Sequence, residues 1–201
     1  MNKNTLDPEI NLIQDSSIKE WTKKTLNNAP DYFFIAPASS TGKYHPQCTC
    51  KKGGLQIHVK RAVYIANRLC TGWGIVGIDR DIVLSATILH DIAKVANPKE
   101  NPQFTYADYE NHPINAEKYF IDIPKSDIMK EKYNIEAYKP EYVTIRDCIR
   151  YHMGLWTPAS IKKPIKDYSL LELIVYTADY IATTKDLVTP VDNTIIEEDT
   201  K

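Results

Sequence analysis

Residues 82–96 read IVLSATILHDIAKVA, a stretch apolar nearly all round with His90 and Asp91 set side by side inside it. An element apolar on every face belongs at the centre of a helical domain, and the pattern predicts a helix over residues 78–96. A core helix has no packing reason to carry His90-Asp91. A buried ionised carboxylate is costly unless it is paired or metal-bound.

The helical pattern continues outward on both sides. Leu55, His58, Val59, Ala62, Val63, Ala66 and Leu69 recur at three- and four-residue steps, the spacing of one helix face, with His58 in the buried stripe. Before them, residues 37–54, PASSTGKYHPQCTCKKGG, are a long polar loop rich in turn formers. Residues 32–36, YFFIA, read as a strand or a buried extended segment. Asp7-Pro8-Glu9 reads as the start of a helix reaching about Asn28. Downstream, Asn111-His112-Pro113 has the form of a helix start. Pro140-Glu141 opens a helix whose stripe is Tyr142, Ile145, Ile149 and His152, with Gly154 to end it. The last helix is expected over residues 168–185 and carries LELIVYTADYIA, polar mainly at Asp179. Residues 187–201 turn polar and acidic, and a frayed tail is expected there. The sum is an all-α fold of five or six helices without a sheet. It forms one domain over residues 1–186, with a core at 53–186 and an N-terminal helix and loop at 1–52.

With 25 basic against 26 acidic residues in a chain of 201, the net charge of -1 gives no global pull toward nucleic acid or a membrane surface. The apolar runs are too short and interrupted to span a bilayer, and MNKNTLDPEI lacks the apolar stretch of a signal peptide. The cytoplasm is the expected location, with no membrane partner. Four scattered cysteines point to reduced thiols rather than a disulfide scaffold. His45, Cys48 and Cys50 fall short of the four ligands of a structural zinc site. Ser39-Ser40-Thr41-Gly42-Lys43 fails the P-loop pattern, with Pro37 in place of the first glycine and Tyr44 after the lysine.

Six residues carry the chemistry, five of them on or at the end of an expected helix: His58, His90, Asp91, His112, His152 and Asp179. Histidine and carboxylate are the usual ligands of divalent transition metals, and six suffice for two ions. Neighbours on a helix point about 100° apart, so His90 and Asp91 cannot both face one ion head-on. A carboxylate has two oxygens, however, and Asp91 can bridge. Lys94, three residues on, shares the face of Asp91 and suits contact with a metal-bound anion such as a phosphate oxygen. Ser39, Ser40, Lys43 and His45, on the loop leading into the first ligand helix, are candidate substrate contacts.

The order His58 … His90-Asp91-Ile92-Ala93-Lys94 … His112 … His152 … Asp179 resembles the HD-domain superfamily of metal-dependent phosphohydrolases, over residues 53–179. His112 and His152 match the extra ligands of its two-metal members. The segment Pro37-Ala38 … Gly53-Gly54-Leu55 … His58 also resembles the lead-in to the HD domain of bacterial 3′→5′ exoribonucleases. The resemblance implies an HD-type helical bundle with a metal site in its core. His58, His90, Asp91 and Asp179 would hold a first divalent ion, and Asp91 would bridge to a second held by His112 and His152. Manganese, iron or another transition metal is implied, and magnesium is compatible. Water activated by the metals would attack phosphorus, with Asp91 and Lys94 as catalytic residues. The implied activity is a phosphohydrolase or phosphodiesterase acting on nucleotides or short nucleic acids, so a nucleotide or oligonucleotide is the expected partner; a homo-oligomer is also compatible. Two other classes stand beside it: a di-iron oxygenase of a small organic substrate, whose ligands have the same types and order, and a non-catalytic nucleotide-binding protein. The completeness of the ligand set argues against the last.

Overall fold

Asp81 decides how the chain begins. Its Oδ2 accepts hydrogen bonds from the backbone N–H of Gln14 (3.0 Å) and of Asp15 (2.7 Å). The single helix expected over residues 7–28 is therefore two, α1 (Asp7–Ile10) and α2 (Ser16–Asn27), separated by a turn pinned to the core. Asp15 caps α2 by accepting from Ile18 N at 2.8 Å. The computed structural model describes residues 4–39, 41–133 and 137–193.

The aromatic segment after α2 is a helix, not a strand. Pro30 is extended and α3 (Asp31–Ile35) follows it, burying Phe33 and Phe34. Ala36 is extended again, because a residue before proline, here Pro37, is disfavoured in the helical region. The polar loop then leads into α4 (Gly54–Trp73), which buries residues on nearly all its faces over its first three turns. Gly53 and Gly74 bracket it with φ of 73° and 69°, in the left-handed region where glycine is favoured.

The central helix is α5 (Gly77–Leu89), which ends seven residues earlier than the sequence pattern suggests. From His90 the chain tightens into a turn with Ile92 N bonded to Leu89 O and Lys94 N to Asp91 O. His90 and Asp91 thus stand just past a helix C-terminus rather than inside a helix, ahead of Asn97-Pro98. Three short helices follow: α6 (Tyr106–Glu110), α7 (His112–Asn115) and α8 (Asp127–Tyr133). The bundle is completed by α9 (Pro140–Tyr151) and α10 (Leu170–Ala182). Helix α10 packs on α4, α5 and α9, α5 packs on α4 and α9, α2 lies on α5, and α3 lies on α4. A buried hydroxyl pair, Thr22 with Ser85 at 2.6 Å, ties α2 to α5. Among the described residues there is no strand, and the extended pairing is an isolated bridge between Lys125 and Tyr138. The all-α expectation holds. Among the described residues no helix is long and apolar enough to cross a membrane.

The tail expected to fray from residue 187 is tied down for its first part. Arg61 of α4, fully buried, donates to the carbonyls of Ala182, Thr184 and Leu187 and pairs with Asp192. Asp192 also accepts from Thr189 N at 2.9 Å. Residues 194–201 lie outside the described residues.

Candidate metal centre

Three helix C-termini converge on one point. The last carbonyls of a helix lack an intrahelical donor, and here three of them hold histidines. Nδ1 of His90 donates to Thr87 O of α5 (2.7 Å), Nδ1 of His112 to Tyr109 O of α6 (2.9 Å), and Nδ1 of His152 to Ile149 O of α9 (2.7 Å). In each case the carbonyl is three residues before the ring. A carbonyl can only accept, so Nδ1 carries a proton and Nε2 is the atom left to face a metal, at His90 once a second proton is displaced. The negative ends of these helices favour a cation in the same place.

His58 enters from the second turn of α4 and Asp179 from the last turn of α10. Nε2 of His58 lies 2.9 Å from Asp179 Oδ1 and 3.3 Å from His90 Nε2. Asp91, fully buried, turns its two oxygens to different neighbours. Its Oδ2 faces His90 Nε2 (3.4 Å) and His58 Nε2 (3.6 Å), whereas its Oδ1 faces His112 Nε2 (3.3 Å) and His152 Nε2 (3.6 Å). Groups that bind one ion at about 2.0–2.2 Å stand about 3.0–3.5 Å apart around it, close to the 2.9–3.6 Å seen here. Three sets have their ligand atoms within 4.8 Å of one another: His58, His90 and Asp91; His90, His152 and Asp179; Asp91, His112 and His152. All six residues expected to hold metal are therefore brought together. The residues fit a cation on a further observation: Asp91 Oδ1 is buried without a hydrogen-bond partner, in contact with two imidazoles whose protons are committed elsewhere.

The charges favour the same reading. Burial works against ionised Asp91, yet Lys94 and His90 outweigh it and hold its carboxyl well below the usual range. Burial also opposes ionised Asp179, but the bonds from His58 and His90 prevail and its pKa is low too. Burial pushes the imidazoles of His58 and His152 down, toward the neutral form that ligates metal. Lys94 Nζ rests on Asp91 Oδ2 at 2.7 Å, the three-residue contact expected from its spacing.

The cluster floors a cleft of about 1270 Å³. His112, His152, Asp179 and Lys94 line it, together with Ser39 and His45. Lys43 is not among the lining residues; its ammonium lies 4.9 Å from the centre of the Tyr44 ring, which is. Ser40 lies outside the described residues. His45, Cys48 and Cys50 do not form a metal-holding group among the described residues, and all four cysteines are free. The rim carries aromatic residues that the sequence did not mark as site residues: Tyr44, Trp156 and Tyr180, each more than half exposed, and Tyr176. Tyr176 and Tyr180 sit three and one residues from Asp179 on α10, a proximity legible once that aspartate is a ligand. Trp156 gave no such signal.

The HD domain family model matches residues 55–184. The chain belongs to the HD domain family. Proteins of this superfamily are generally metal-dependent phosphohydrolases. The match covers α4 through α10 and all six clustered residues of this HD domain; the N-terminal helices and the 37–53 loop lie before it. No curated protein and no solved structure matches the chain significantly.

Proposed function

We propose that this HD domain is a two-metal phosphohydrolase or phosphodiesterase acting on nucleotides or short oligonucleotide ends. The division of the Asp91 carboxylate carries the reading: one oxygen belongs to the His58–His90–Asp179 group and the other to the His112–His152 group. Two divalent ions there would supply a water of lowered pKa and offset the charge that builds on the phosphoryl group. The residues themselves do the rest. His58, His90, Asp91 and Asp179 would hold one ion, and Asp91, His112 and His152 the other. Lys94, in the cleft lining, holds a phosphate oxygen and orients phosphorus. The aromatic rim offers faces on which a base stacks. Among the described lining residues Lys94 is the one lysine or arginine, while Glu100 and Glu110 also face the cleft. A groove that tracks a long phosphate backbone needs a row of basic residues, so this lining supports a nucleotide or an oligonucleotide end over an extended polymer.

The test is turnover by purified protein loaded with Mn²⁺, assayed on nucleotides and bis-p-nitrophenyl phosphate. Release of phosphate, nucleoside or nitrophenol, abolished by Asp91→Ala, is the expected result. No turnover with any divalent ion, together with oxygen-dependent product formation by an iron-loaded form, would replace hydrolysis by oxygenation.

A further inference from the structure

Of the four clustered imidazoles, His58 alone has no orienting partner. His90, His112 and His152 each place Nδ1 on a carbonyl in the last turn of a helix. His58 lies in the second turn of α4, where carbonyls are already engaged within the helix. Its Nδ1 is buried and unbonded. For Nε2 of His58 to offer a lone pair to a metal, Nδ1 must carry the proton, and a buried N–H needs an acceptor. Nε2 of His45 is also buried and unbonded, and its ring lies beside that of His58 with centroids 5.6 Å apart.

The backbone around His45 is fixed. Ala38 N bonds to Thr49 O, Gly53 N to Ile35 O and Leu55 N to Ala36 O, each at 2.9 Å. Cys50 Sγ reaches Pro46 O at 3.3 Å. A Cβ at Gly54 would stand 2.1 Å from Thr49 O, so the loop lies directly on the first turn of the helix that carries His58. The second glycine of Gly53-Gly54 is thus required by a close approach, and that approach delivers His45.

We infer that His45 is a positioning residue for His58, its Nε2 accepting the Nδ1 proton of His58 directly or through one water. This assigns the ring to the metal centre rather than to the substrate. The inference rests on His58 being a metal ligand, the reading proposed above, and the experiment separates the two.

Zinc stoichiometry and stepwise affinity are measured by chelator competition for the unsubstituted protein, His45→Ala and His45→Gln. Unsubstituted protein that takes up no zinc overturns the metal reading itself, before any variant is examined. If it does bind, His45→Ala is expected to lose about 10–100-fold in affinity at one site and nothing at the other, the usual effect of removing an orienting partner. His45→Gln, whose amide oxygen accepts the same proton, is expected to regain most of that loss. Two ions bound by His45→Ala as tightly as by the unsubstituted protein overturn the inference, and a raised KM alongside would place His45 on the substrate. Should His45→Ala not fold, proton exchange in the unsubstituted zinc form decides. A His58 Nδ1 proton protected from solvent supports the inference, and one exchanging as fast as an exposed imidazole overturns it.

Discussion

His112 and His152 point their Nε2 atoms at each other across 3.3 Å, with both Nδ1 protons given to backbone carbonyls. In neutral rings these are two acceptors facing one another, an arrangement that only a cation or an added proton makes favourable. Replacing His152 by Ala is expected to leave the protein with one tightly bound ion in place of two. Replacing Asp91, which faces both groups, is expected to remove both. Metal content by mass spectrometry after dialysis checks each; two ions retained by His152→Ala would show that this pair is not a ligand pair.

Lys94 balances the charge of Asp91 from 2.7 Å. Once ions neutralise the carboxylate, the ammonium is free for the substrate. Lys94→Gln is expected to lower kcat by about 100–1000-fold, the usual effect of removing one group that stabilises developing charge, with metal content unchanged. Lys94→Arg recovers only part, because a planar fork does not replace a point charge. Unchanged kcat in Lys94→Gln would restrict Lys94 to charge balance.

Burial pushes the imidazole of His90 down, but Asp91 and Asp179 outweigh it and hold its pKa up to about 10 in the metal-free protein. A pKa raised above the unfolded value of about 6.5 means that the proton stabilises the fold fully below that pH. The stabilisation is lost as pH rises toward 10. A metal on Nε2 must displace this proton. Metal affinity is therefore expected to rise about tenfold from pH 7 to pH 8, with one proton released per ion bound at His90. Competition titrations at the two pH values, with calorimetry in buffers of different ionisation enthalpy, measure both. PH-independent affinity without proton release would mean that His90 is neutral before the metal arrives.

Gly154 has φ of 57°, and a Cβ there would stand 2.2 Å from Cε2 of Tyr176. Gly154→Ala is expected to destabilise the fold by about 1–3 kcal/mol from the left-handed backbone alone. The displaced Tyr176 ring lines the cleft, so KM is expected to rise while metal content stays the same. Urea unfolding and steady-state kinetics read the two effects separately.

How much of this was legible in the sequence depends on whether the signal is local. The stripe from Leu55 to Leu69 and the apolar run before His90 mark α4 and α5, because helical periodicity survives burial. Five of the clustered residues were visible as polar exceptions to apolar stripes, and His112 at a helix start. The helix ends were less legible. Asp81 breaks the first helix from 66 residues away by accepting from Asp15 N, and no local pattern reports such a bond. The strand-like aromatics of α3 follow from burial against α4 rather than from β structure. By contrast, Ser169 with Glu172 and Thr105 with Asp108 form capping boxes that set the starts of α10 and α6. These were readable and place α10 at Leu170 rather than 168. The His45–His58 contact required the loop's tertiary path.

Three of the clustered histidines take their orientation from main-chain carbonyls. No side-chain replacement at Thr87, Tyr109 or Ile149 can delete the acceptor, so the aim of the rings does not depend on which side chain stands at those positions. The mutational fragility of the centre is concentrated instead at the ligands themselves and at the loop beside His58.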